Sequence, residues 1–176
     1  MTALEKEYGD AVYALATEEN CVDQVLEGLE LAVGVFGENP GYLTLVQNPD
    51  LSKEERLGLL DQAFEGVHKY VLHLLKLLCE RSSLGLAAGC LEQFKGLVYA
   101  ERGILPVEVI SAVALTDAQR EALTQKLAAK TGKTIELHAK LDPSVLGGIK
   151  LRYEGRELDG TTAGRLDALR HLLTQS

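Results

Sequence analysis

The chain has 176 residues, of which 46% are hydrophobic and 25% charged, and its net charge is −8. That hydrophobic share supports a folded core, and the length allows one domain or two small ones. The acidic balance argues against a nucleic-acid partner, and no run of about 18 apolar residues is present to span a bilayer.

The first hundred residues read as helix after helix. Leu4, Tyr8, Ala11 and Leu15 recur at the spacing of an amphipathic helix. No leader peptide is expected, because Glu5, Glu7 and Asp10 fall where an apolar or Arg-rich segment is needed. Asn20 is placed to cap a second helix carrying Val22, Val25, Leu26, Leu29, Val33 and Phe36, and Asn39-Pro40-Gly41 stops it. A short turn with Tyr42, Leu43 and Val46 runs to a second break at Asn48-Pro49-Asp50. Ser52 and Glu55 form a capping box ahead of Leu57, Leu60 and Phe64.

The next helix is predicted over residues 67–81. Its polar residues Lys69, His73, Lys76 and Glu80 confine themselves to an arc about 60° wide at 100° per residue, and nearly everything else is apolar. An ordinary surface helix buries one stripe. This one is therefore either central, or packed on its neighbours while offering a second face to something else. Gly85 and Gly89 loosen the following connection, and a last helix carries Leu91, Phe94, Leu97 and Val98. Pro106 opposes further helix, so a boundary falls at residues 102–106. The charge divides there too: residues 1–104 hold 17 acids and 8 bases, residues 105–176 hold 9 and 10, which suggests two domains with different partners.

Beyond the boundary the period changes. Residues 107–114 are rich in β-branched side chains and read as a strand. Thr116 and Gln119 make a second capping box for a helix through Leu123 and Leu127, closed by Gly132. Ile135, Leu137, Ala139 and Leu141 alternate with polar residues as a second strand. Asp142, Val145-Leu146 and Gly147-Gly148 lead into a third, in which Ile149, Leu151 and Tyr153 alternate with Lys150, Arg152 and Glu154. Glu154-Gly155 is a hairpin signal, Asp159-Gly160-Thr161 closes the hairpin, and Arg165, Leu166, Leu169 and Leu173 belong to a closing helix. The order is β-α-β-β-β-α, a small α/β domain.

Sites of chemistry are not evident. Cys21, Cys79 and Cys90 lack metal-binding spacing and read as free, mostly buried thiols. Gly132-Lys133-Thr134 resembles the tail of a phosphate-binding loop, but position 127 is Leu where that motif needs Gly. His68 and His73 are off the ligand spacing for one helix face. Asp142 and Asp159 could be paired carboxylates, although their positions fit turn and capping roles better. No catalytic set, cofactor site or metal site is expected.

The C-terminal pattern is similar to the signature of the delta subunit of the bacterial and chloroplast F-type ATP synthase, whose mitochondrial equivalent is the oligomycin-sensitivity-conferring protein. It rests on Asp142, Val145-Leu146, Gly147, Gly148, the strand to Arg152, Gly155, Asp159, Gly160, Thr161 and Arg165-Leu166, with Thr161 where Ser is usual. Tyr8, Ala11 and Ala14 to Ala16, Asn48-Pro49 with the run to Arg56, and Val107 to Ala112 with Leu115-Thr116 resemble further parts of the family; Gly9 stands where it usually has Ala. The resemblance implies an all-α six-helix N-terminal bundle over residues 1–104, binding the catalytic head, and a small α/β domain over 105–176, contacting the b-type peripheral stalk. It implies a non-catalytic stator subunit attached peripherally at the cytoplasmic face of the inner membrane. The bundle would receive the N-terminal helix of an alpha subunit in a groove between its first and fifth helices. The candidates for that groove are Tyr8, Ala11, Val12 and Leu15 facing Val71, Leu74, Leu75 and Leu78. The alternatives are a generic helical adaptor, or a small enzyme using Asp142 and Asp159.

Overall fold

The structure, a computed structural model, describes residues 2–145 and 147–160. These form α1 (Ala3–Glu18), α2 (Val22–Glu38), α3 (Pro40–Val46), α4 (Lys53–Ala63), α5 (Lys69–Glu80), a 3-10 turn (Leu84–Leu86), α6 (Ala87–Arg102), β1 (Ile104–Ser111), α7 (Asp117–Thr131), β2 (Thr134–Leu141), β3 (Ile149–Tyr153) and β4 (Arg156–Asp159). The chain is thus mostly helical with a C-terminal α/β part. It divides into two compact units, Met1–Val98 and Tyr99–Ser176, the division falling within α6. Leu146, Thr161 and the closing helix expected around Arg165, Leu166, Leu169 and Leu173 lie outside the described residues.

In the first unit the helix ends follow from local chemistry. Capping boxes open α1 (Thr2 with Glu5) and α4 (Ser52 with Glu55), each side chain satisfying an N–H that the helix itself leaves unpaired. Pro40 sits in the first turn of α3, where its missing N–H is harmless, so the expected turn is a short helix. Asn20 does not cap α2 with its side chain. It takes φ 53° instead, and the N–H groups of Asn20 and Cys21 reach back to the carbonyls of Thr17 and Ala16, which ends α1 in a Schellman motif. Asn tolerates that left-handed conformation better than other non-glycine residues.

One apolar core joins these helices. Val25 and Leu29 of α2, Leu60 of α4, Val71, Leu75 and Leu78 of α5, and Phe94 of α6 are all buried in it. Each such side chain contributes about 1.5–3 kcal/mol on leaving water. Phe36 meets Phe64 edge-on at 5.6 Å, and Tyr13 meets Phe94 at 5.4 Å. Close approach is set at Gly9, where a Cβ would lie 2.7 Å from Cβ of Gln93 on α6. Gly89 falls inside α6 rather than in a loose connection, and the side chain of Glu5 occupies the space above it.

In the second unit β1 is central in the order β2-β1-β3-β4, parallel to β2 and antiparallel to β3. Leu105, Val107 and Val109 of β1 pack with Leu127 of α7, Ile135 and Leu151 on one face. The other face carries charge, with Arg152 reaching Glu157 at 2.7 Å and Glu108 at 3.4 Å. β1 begins before Pro106, earlier than its β-branched run suggests, and stops at Ser111 rather than Ala114. The Thr134 and Asp142 N–H groups donate to the carbonyls of Gly103 and Ser111, so odd-numbered residues of β1 turn their polar groups toward β2. Pro106 therefore turns toward β3, whose pairing starts only at Glu108, and its missing N–H breaks no ladder bond. The β3–β4 hairpin has a two-residue turn, Glu154 at φ 48° and Gly155 at φ 71°, whose twist matches the flanking strands.

Candidate functional site

α1 carries two apolar stripes. Gly9, Val12 and Ala16 face inward and are buried. Leu4, Tyr8, Ala11 and Leu15 lie a rotation away, and Leu4 and Leu15 remain 48% and 42% exposed. α5 is divided similarly. Val71, Leu75 and Leu78 sit in the core with no exposure, while Leu77 is 38% exposed. Glu19 at the end of α1 meets Lys69 and Tyr70 at the start of α5, so the two helices run antiparallel.

Between them lies a groove of about 240 Å3 lined by Tyr8, Ala11, Val12, Leu15, Tyr70, His73, Leu74 and Leu77. Apart from one imidazole and two tyrosine hydroxyls the lining is hydrocarbon. The structure brings Tyr8, Ala11, Val12, Leu15 and Leu74 together there, and places Val71, Leu75 and Leu78 in the core beneath. Tyr70, His73 and Leu77 were not among the expected residues. The signal for them is the i, i+3, i+4, i+7 spacing from Tyr70, which a helix apolar on most of its circumference shares with several other stripes.

The end of the groove at α5 is polar. The Glu19 carboxylate accepts from the Tyr70 hydroxyl and, at 2.9 Å, pairs with the Lys69 ammonium, which also lies 4.9 Å above the Tyr70 ring. The Tyr70 hydroxyl and Lys69 hold the Glu19 carboxyl below its ordinary range, and Glu19 in turn raises the Tyr70 hydroxyl. His68 opens α5, its ring accepting from the Tyr70 N–H at 3.4 Å.

The expected turn residues have backbone roles. Asp142 accepts from the Ser144 hydroxyl at 2.6 Å and the Ser144 N–H at 2.9 Å, and these bonds lower its titration. Gly147 and Gly148 take φ 66° and 88°. Asp159 pairs with Lys150 at 3.5 Å, and the Gly160 N–H donates to Ile149 at 3.0 Å. Gly132 is the left-handed end of α7 and Lys133, which pairs with Glu154 at 2.6 Å, leads into β2, so the segment ends a helix and opens a strand, the reverse of a phosphate-binding loop. Among the described residues no group of three His, Cys, Asp or Glu side chains is placed to hold a metal. The three cysteines are buried, and burial pushes the Cys90 thiol up to about 11. No helix among the described residues is long and apolar enough to cross a membrane.

A family model described as ATP synthase delta (OSCP) subunit matches residues 4–173. A protein named ATP synthase subunit delta from Geobacillus sp. (strain WCH70) is 35% identical over 169 residues, covering 96% of this chain and 95% of that one. One of the same name from Chlorobium phaeobacteroides (strain BS1) is 31% identical over 173 residues, covering 98% and 96%. Among solved structures, a chain of the mitochondrial ATP synthase hexamer of Toxoplasma gondii superposes with a TM-score of 0.79 at 21% identity, covering 98% of each chain, which is a likeness of fold.

Proposed function

The chain belongs to the ATP synthase delta (OSCP) subunit family, a non-catalytic part of the F-type ATP synthase, and on that premise we propose how its two units link the complex. Helices α1 to α6 act as one six-helix bundle that receives the amphipathic N-terminal segment of an alpha subunit. Residues 105–176 meet the b-type helices of the peripheral stalk, and the complex holds the chain at the cytoplasmic face of the membrane.

The observation that supports this reading best is the groove between α1 and α5. It leaves Leu15 and Leu77 substantially in water although both lie beside an otherwise buried core. A helix laid along it would cover these side chains in the helix-in-groove mode, anchored at i, i+3, i+4 and i+7. Ala11 gives that helix room to approach. The excess of acids in residues 1–104 suits a segment that flanks its apolar stripe with basic residues. Asp142 and Asp159, the pair an enzyme would need, are engaged in a turn and an ion pair.

The test mixes the purified chain with a catalytic head stripped of its own delta subunit, with and without the alpha N-terminal segment. One-to-one binding that disappears with the segment, and that weakens as salt is raised, is expected. Equal binding to both forms would move the docking site away from the groove.

A further inference from the structure

The polar end of the groove is built from side chains far apart in sequence and fixed by backbone geometry. The Schellman end of α1, with Asn20 at φ 53° and the Cys21 N–H bonded to Ala16 at 2.9 Å, holds Glu19 against the first turn of α5. There its carboxylate takes the Tyr70 hydroxyl on one side and Lys69 on the other. Lys69 also lies over the Tyr70 ring. The ring that lines the groove is thus held at its tip by a charged acceptor and on its face by a cation. At the other end of the same stripe Leu4 is 48% exposed.

We propose that Glu19 is a positioning residue for the docked helix: by holding the Tyr70 hydroxyl it sets that ring as the end wall of the groove and fixes where along α1 and α5 the helix seats. This rests on the docking reading above. A tyrosine with a free hydroxyl samples other rotamers, and ordering it when the helix arrives weakens binding by about twofold to tenfold. With Glu19 in place the ordering is complete before the partner comes. The ionised carboxylate is the stronger acceptor, so the wall loosens when Glu19 takes up a proton. Tyr70, Lys69 and His68 all favour the charged form of Glu19, and that form is present at neutral pH, so the wall is formed there.

The test uses the full chain and a synthetic peptide of the alpha-subunit N-terminal segment. Dissociation constants and off-rates are measured for the wild type, Glu19→Ala, Tyr70→Phe and the double variant, with near-ultraviolet circular dichroism confirming each fold. Either single change should raise Kd by about twofold to tenfold, chiefly through a faster off-rate, and the double should lose no more than the larger single loss. Wild-type affinity should also fall as pH is lowered through the carboxylate range, with a flatter profile in Tyr70→Phe. A network that served only the stability of the bundle would lower its melting temperature and leave Kd and its pH profile unchanged. Variants that bind like the wild type, or losses that simply add, overturn the positioning role while leaving the docking reading intact. A wild-type chain that ignores the peptide overturns both. Should Glu19→Ala fail to fold, Tyr70→Phe, which keeps the ring, decides alone.

Discussion

Gly9 and Gly34 both lie inside helices, and exchanging each for alanine should raise stability at Gly34 but not at Gly9. Alanine is favoured over glycine in a helix by about 1 kcal/mol. At Gly34 nothing stands within 4 Å of the new Cβ, so Gly34→Ala should gain most of that. At Gly9 the new Cβ would lie 2.7 Å from both Cβ and Cγ of Gln93 and 3.1 Å from the Cys90 carbonyl oxygen. Ordinary carbon contacts need about 3.5–4.0 Å, so α1 and α6 must part by roughly 1 Å. The movement also strains the 2.7 Å bond from the Gln93 amide to Asp10. Overpacking of this kind costs about 1–3 kcal/mol, which outweighs the propensity gain and leaves Gly9→Ala neutral to about 2 kcal/mol less stable. The two variants should therefore differ by roughly 1–3 kcal/mol in urea unfolding, or by some 4–8 °C per kcal/mol in melting temperature for a unit of this size. If Gly9→Ala proves as stable as Gly34→Ala, the close approach of α1 and α6 is wrong.

Core and groove should separate under alanine substitution. Leu75→Ala and Leu78→Ala should lose about 2–5 kcal/mol of stability in chemical denaturation, whereas Leu15→Ala and Leu77→Ala should stay within about 1 kcal/mol and instead weaken binding of the alpha segment. The Ser52 hydroxyl and N–H hold the Glu55 carboxyl below its ordinary value, so the cap stabilises fully at neutral pH and is lost as pH falls through the folded-state titration. Glu55→Gln should flatten the acid limb of a stability-against-pH curve, and an unchanged limb would remove the cap from the account. The buried thiols, with Cys90 raised to about 11, should resist alkylation in the native chain and react once it is unfolded in urea, as counted by mass spectrometry.

Much of this architecture is legible in local patterns because local chemistry decides it. Ser52 with Glu55 and Thr116 with Gln119 cap the helices their spacing announces. Glu154-Gly155 forms the tight turn its composition suggests, with both residues at positive φ. The direction a stripe faces is another matter. Leu4, Tyr8, Ala11 and Leu15 are the obvious apolar face of α1, yet the face turned to the core is Gly9, Val12 and Ala16, and of these only Val12 carries a strong hydrophobic signal. In α5 the core stripe of Val71, Leu75 and Leu78 lies one residue's rotation from Tyr70, Leu74 and Leu77 at the groove. A helix with so narrow a polar arc gives no internal reason to prefer one over the other. The early start of β1 was hidden for a related reason, since only the register reveals that the side of β1 on which Pro106 lies is unpaired there. Asn20 sits where two helices meet, and a capping side chain and a left-handed turn residue look identical in the sequence.

The position of β1 has a mechanical consequence. β1 follows α6 through Gly103 alone and lies between β2, paired along its whole length, and β3. A pull that enters the sheet along β1 loads both ladders in shear, so their hydrogen bonds must rupture together rather than one after another. A pull on β4, at the edge of the sheet, would peel its pairs from β3 in sequence. The chain thus gives the second unit a strong axis and a weak one, and the strong axis belongs to the strand that receives the helical half.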